Sequence, residues 1–84
     1  MYYTYILDSL KIRRHYIGSC EDTDVRLKKH NTGQVNATRS GIPWRIIHKE
    51  EFQTRSEAVR RERQIKSYKS GNAFKKLLNR GRVA

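Results

Sequence analysis

The sequence predicts an α+β domain: a small three-stranded antiparallel sheet flanked by helices, in the order β-β-α-β-α-α. Three observations predict it. Aromatic and β-branched runs recur at residues 2–7, 15–19 and 44–52, a strand signal each time. Thr54-Arg55-Ser56-Glu57 is a capping box, which starts a helix. Gly33 and Gly71 fall where helical patterns stop. With 84 residues the chain forms one domain, residues 1–84, and no linker or repeat divides it. A domain of this size buries only about 60% of the surface its unfolded chain exposes.

In the first strand, Tyr3, Tyr5 and Leu7 share one face, and Tyr2, Thr4 and Ile6 the other. Residues 8–14 read as a turn or loop, after which residues 15–19 return as the second arm of a hairpin. Asp22 or Thr23 caps a helix running to about Asn31, and Gly33 stops it. Residues 34–43 are polar and glycine-containing and read as a surface loop. The third strand takes Trp44, Ile46 and Ile47 as its apolar content. The helix from Thr54 runs to about Lys69 and breaks at Gly71. A last helix, residues 72–79, turns Phe74, Leu77 and Leu78 inward.

Charge narrows the function classes. Nineteen Lys and Arg face eight Asp and Glu, a net +11 at neutral pH. Such an excess repels itself in a compact chain and calls for a polyanion, with nucleic acid ahead of an acidic membrane surface. From Arg63 to the end there are seven basic residues, Arg80 and Arg82 among them, and no acidic one. This quarter, with Arg61, Lys66 and Lys69 on the helix that leads into it, is the candidate nucleic-acid-binding surface. A solvated helical face or a loose basic tail gives the same pattern.

Cys20 is the only cysteine, so no intrachain disulfide forms, and His15, His30 and His48 lack metal-ligand spacing. The chain shows no signal peptide and no run near the ~18 apolar residues of a membrane span. A reducing, cytoplasmic setting is the expectation. Protein partners leave no mark in the sequence.

Three groups of residues can carry chemistry. Glu62 follows Ala58 by four and precedes Ile65 by three, on the apolar side of its helix. A carboxylate there is costly unless it is paired or binds a metal ion. Neutralising Arg60, Arg61 and Arg63 explains it equally well. Arg26 and His30 project from one helical face, where Arg26 can grip phosphate and His30 can exchange a proton near neutrality. A solvated face shared with Lys29 is the plainer alternative. Tyr5 and Tyr16 lie on the two arms of the hairpin, and Gly18 follows closely. A phenol can orient or deprotonate water, although tyrosines also serve simply to pack sheets.

These pieces, in order, resemble a known family. Tyr3-Thr4-Tyr5 followed by Tyr16-Ile17-Gly18 resembles the two halves of the GIY-YIG motif. The segment from Asp24 to Asn31 resembles that family's arginine-bearing helix. Pro43-Trp44, Glu50-Glu51-Phe52, Thr54 to Ala58 and Glu62 resemble the remainder, so the similarity spans nearly the whole chain. It is nearest to small stand-alone members, similar to the N-terminal nuclease domain of the bacterial excision-repair incision subunit. The first motif departs from the pattern by reading Tyr-Thr-Tyr, which retains the final tyrosine.

The resemblance implies an endonuclease that hydrolyses DNA phosphodiesters with one divalent metal ion, Mg²⁺ or Mn²⁺. It implies that Glu62 holds the metal, Arg26 stabilises the scissile phosphate, Tyr5 orients or activates water, and Tyr16 lines the site. His30 falls at a position that is His or Tyr in the family, and Gly18 is a structural part of the motif. No second carboxylate is placed to share the metal: Glu57 belongs to the cap, and Glu50 and Glu51 belong to a strand. Without a recognition domain, cutting is expected to follow DNA structure or to be weakly sequence-specific. The competing reading is a catalytically degenerate basic module that binds DNA or RNA without cutting it.

Overall fold

A computed structural model describes residues 1–69 and 71–80. Its elements are β1 (Tyr2–Ser9), β2 (His15–Cys20), α1 (Thr23–Asn31), a 3-10 helix (Asn36–Gly41), β3 (Trp44–Phe52), α2 (Arg55–Tyr68) and α3 (Asn72–Arg80). The sheet order is β2-β1-β3, antiparallel throughout, so the first strand is the central one. The α+β class and the element order agree with the sequence reading.

A central strand covered on both sides must be apolar on both faces, and β1 is. Ile6 packs with Ile65, Phe74 and Leu77 beneath α2 and α3. Tyr5 and Leu7 pack with Trp44 on the opposite face, with Leu27 of α1 against them. Alternation passes to the neighbours: Ile17 and Ile47 join the first cluster, while Tyr16 and Ile46 join the second. Thr4 stays dry on the α2 side because its hydroxyl donates to the Ala58 carbonyl at 2.7 Å. The faces inferred from sequence alternation are therefore the observed ones.

Caps fix the helix starts. Asp22 accepts from the Asp24 and Val25 amides, and the Thr54–Glu57 capping box is complete. Asn31 ties the end of α1 to β3, donating to the Trp44 carbonyl at 3.0 Å and accepting from the Trp44 amide at 2.6 Å.

Two stretches differ from the sequence reading, at the end of β1 and at residues 34–43. β1 continues through Asp8 and Ser9, because both pair with the start of β3. α2 ends at Tyr68 with Lys69 as its cap, where the sequence reading put its end, and the φ of 53° at Lys69 turns the chain two residues before Gly71. Residues 34–43 are more than a surface loop. They contain the 3-10 helix, whose Thr38 is fully buried and whose Thr38 carbonyl accepts from the Trp44 indole at 2.7 Å. Arg82 and the side chain of Arg80, counted above in the basic quarter, lie outside the described residues.

Truncating the core beneath α2 should cost more than removing its cap. Ile65→Ala is expected to destabilise the fold by about 2–5 kcal/mol, and Thr54→Ala by about 1 kcal/mol. Urea unfolding of the two variants beside the parent measures both, and the reverse order would contradict the packing described here.

Candidate active site

Tyr5 lies at mid-strand opposite Gly18 of β2. A Cβ at position 18 would stand 2.5 Å from the Tyr5 hydroxyl oxygen. Only a glycine lets the phenol lie across β2, which gives the motif glycine a steric cause. From there the Tyr5 hydroxyl reaches His30 Nε2 at 3.1 Å. The Tyr16 ring also closes on His30, with centroids 4.9 Å apart.

His30 is held on its other side as well. Its Nδ1 lies 2.8 Å from Thr38 Oγ1, and Thr38 Oγ1 donates to the Val35 carbonyl at 3.2 Å. That commitment sets the direction of the chain of bonds. With the Thr38 proton on that carbonyl, its oxygen accepts from His30 Nδ1–H, which leaves an unprotonated Nε2 facing the Tyr5 hydroxyl. Burial, and then Arg26, lower the His30 pKa below the usual imidazole range. Burial, with Tyr16 adding and Arg26 opposing, raises the Tyr5 phenol above its usual range. At neutral pH the pair is a neutral phenol donating to a neutral imidazole.

Glu62 approaches from the opposite face of the sheet. Ser19 pairs with Thr4 on the α2 side of β2, and its hydroxyl donates to Glu62 Oε1 at 2.8 Å. Glu62 Oε2 meets Lys66 Nζ at 2.6 Å. Tyr5 and Glu62 thus flank edge strand β2 from its two sides, near enough that the Glu62 charge also acts on the phenol. Around that edge opens a cleft of about 290 Å³, whose lining includes Ser19, Cys20, Arg26, Lys29 and Arg55. Burial pushes the Cys20 thiol up, so it faces the cleft protonated. Glu62 is half-buried, and hard oxygen donors of this kind suit Mg²⁺ or Mn²⁺. Among the described residues no three His, Cys, Asp or Glu cluster as a metal cage. A single carboxylate beside a hydroxyl fits an ion that keeps most of its water, as Mg²⁺ does.

The structure brings Tyr5, Tyr16, Gly18 and His30 together, with Arg26 acting on both titrating groups. It corrects several particulars. His30 is buried and does not share a solvated face with Lys29. Glu62 pairs with Lys66 and not with Arg60, Arg61 or Arg63. Arg61 is clamped on Glu50, its Nε at 2.9 Å and Nη2 at 3.1 Å, and it also reaches Gln64 and Tyr68. Burial opposes the Glu50 charge, but hydrogen bonds from Arg61 and His48 hold its carboxyl below the usual range. Of the three proposed phosphate-binding cations, Lys69 alone stands exposed with no salt bridge among the described residues.

Two contributing residues escaped the sequence reading. Ser19 could have been nominated, because it shares the Thr4 face by strand alternation. Thr38 had no local signal: its role exists only once the 3-10 helix lies beneath Trp44.

A family model described as GIY-YIG catalytic domain matches residues 1–76. UPF0213 proteins of Staphylococcus aureus strains Mu3, Mu50 and N315 are each 39% identical to this chain over 54 residues. That stretch covers 63% of this chain and 66% of each relative, just under two thirds of their length. No solved structure matches.

Thr38→Val should release the His30 tautomer while Thr38→Ser retains it. Two-bond proton–nitrogen spectra of the imidazole read this directly: Nδ1–H in the parent and the serine variant, a mixture in the valine variant. A parent ring protonated on Nε2 would refute the direction assigned to the bonds. Linkage gives a second expectation. Below the unfolded histidine pKa of about 6.5 the unfolded chain takes up a proton that folded His30 refuses. Stability should therefore fall as pH drops through that value, and thermal unfolding at pH 8 to 5 should show a shallower fall in His30→Gln.

Proposed function

This chain belongs to the GIY-YIG catalytic-domain family, a family of nucleases, and on that premise we propose that it is a metal-dependent endonuclease cutting DNA phosphodiesters. The observation that carries the reading is the Tyr5–His30–Thr38 chain beside Arg26, with Glu62 across the strand edge. A passive binding surface has no need of a buried, directionally wired phenol and imidazole. A degenerate binding module would also be free to lose these groups, and this chain keeps them all.

Each residue has a definable task. Arg26 grips a non-bridging oxygen of the scissile phosphate, placing fixed positive charge where negative charge grows in the transition state. The Tyr5 oxygen accepts a proton from the attacking water as its own proton passes to His30 Nε2. The phenol is never required to ionise, which suits its raised pKa. His30 can receive that proton because burial keeps it neutral. Tyr16 packs the ring in place and excludes water from its flank. Glu62, oriented by Ser19, would hold the divalent ion, which when bound supplies Lewis-acid stabilisation of the phosphate and the leaving oxygen. Lys66 is the movable partner: its side chain is 52% exposed, against 18% for Glu62.

Among the described residues no helix is long and apolar enough to cross a membrane. We place the enzyme in the cytoplasm because its one cysteine, Cys20, leaves no intrachain disulfide to form. The described domain offers little surface for reading base sequence, so its cutting is expected to follow DNA structure.

Supercoiled plasmid incubated with Mg²⁺ or Mn²⁺ should be nicked, and EDTA should stop it. Glu62→Gln and Arg26→Ala should each slow nicking by about 10²–10³-fold, the cost of removing one transition-state electrostatic contact. A parent protein that binds plasmid and branched DNA but never cuts either would return the chain to the binding-module reading.

A further inference from the structure

The five residues between β1 and β2, Leu10 to Arg14, belong to no part of the site above. Their backbone is nonetheless firmly held. Ser9 Oγ accepts from the Lys11 and Ile12 amides at 3.1 and 3.0 Å and donates to the Gly41 carbonyl at 2.6 Å. The Ser9 amide donates to the Arg14 carbonyl at 3.1 Å, and the Leu10 amide to the Pro43 carbonyl at 2.9 Å. So many amide bonds make this an ordered tip and not a fraying loop.

What the tip displays is unusual for a surface. Leu10 is 59% exposed and Ile12 39%. Only two other large hydrophobic residues, Met1 and Val25, are exposed among the described residues. Lys11, Arg13 and Arg14 alternate with the aliphatic pair and are exposed too. Among the described residues no salt bridge joins these cations to a carboxylate, and the adjacent Asp8 is already engaged by His15 and Arg45. Single exposed aliphatics need no explanation. Two of them in one ordered tip, interleaved with three free cations, describe a surface for a polyanion that also offers apolar area.

We propose that this hairpin tip engages DNA at unstacked bases, so that the substrate class is DNA with an interrupted stack, such as a branch or strand end. The proposal rests on the nuclease reading for its choice of polyanion. The cations meet phosphates anywhere along DNA. Leu10 and Ile12 gain little from a continuous duplex, whose base faces are covered. Where the stack opens, an aliphatic side chain can cover a bare base face, as apolar wedges do at kinked steps. The tip is also well placed. Arg14 lies four residues before Gly18, over which the Tyr5 hydroxyl passes, about 13 Å along β2 at strand spacing, so the tip meets the substrate a few nucleotides from the reacting phosphate. Two aliphatic side chains are too small an anchor for a membrane.

Fluorescence anisotropy of the full chain in EDTA tests this without cutting, using a labelled fork and a continuous duplex of equal length. The parent is expected to prefer the fork. Leu10→Ser/Ile12→Ser should cut that preference by about tenfold while leaving duplex affinity within about twofold. Lys11→Gln/Arg13→Gln/Arg14→Gln should weaken both complexes and lower the salt slope by about 2 to 3. A parent without preference, or a preference that survives Leu10→Ser/Ile12→Ser, overturns the proposal. So does tip-dependent binding to phosphatidylserine vesicles with fork binding unaffected by the same substitutions. A protein that never cuts but shows tip-dependent fork preference supports the tip and sinks the nuclease reading instead.

Discussion

The structure depends on a single constraint: β1 has no wet face. Ile6 is sealed beneath α2 and α3, and Tyr5 and Leu7 are sealed by Trp44 and the α1 side of the sheet. In a three-stranded sheet only the middle strand can be covered so completely, which forces the order β2-β1-β3. β2 is left as an edge, where chemical groups on the two faces can meet around one strand. Tyr5 comes to that edge over Gly18, and Glu62 comes to it through Ser19. The site follows from the topology and could not sit at the middle of the sheet.

Scarcity of acid organises the rest of the surface. With eight carboxylates against nineteen cations, the few carboxylates that form salt bridges decide which cations are withdrawn from the outside. Glu50 takes Arg61 and His48, Asp8 takes Arg45 and His15, and Glu62 takes Lys66. The Arg61–Glu50 contact is two-pronged and partly shielded, hence a structural bond between α2 and β3. Arg26, Lys29 and the tip cations carry no salt bridge to a carboxylate among the described residues. The distribution of free charge is thus set by pairing and differs from the distribution of basic residues along the chain.

This difference explains what the sequence could and could not reveal. Alternation and caps placed every strand and α-helix within about two residues, because both are local properties of consecutive residues. The faces of β1 were readable for the same reason. Tyr5, Tyr16, Gly18, Arg26 and His30 were recognisable through ordered motif spacing. The pairing of Arg61 was not, since Glu50 lies eleven residues away and nothing local joins them. Thr38 was hidden for a deeper reason. Its hydroxyl matters only because Trp44 and the 3-10 helix bring it under His30, an arrangement with no periodicity to read.

Glu62 shows how the two readings of a buried carboxylate can be reconciled. Helix spacing made it either a ligand or a neutraliser, and in the folded chain it is paired with Lys66. That pair does not oppose a metal-binding role. An i,i+4 ion pair with a half-exposed lysine is worth only about 0.3–0.5 kcal/mol, so little is lost when the ammonium swings into solvent. The Ser19 hydrogen bond is the more constraining contact, because it orients one carboxylate oxygen and leaves the other to an exchangeable cation. Lys66 occupies that second oxygen without committing it. Neutralisation by lysine and the proposed ligation of a divalent ion are thus compatible roles for one side chain.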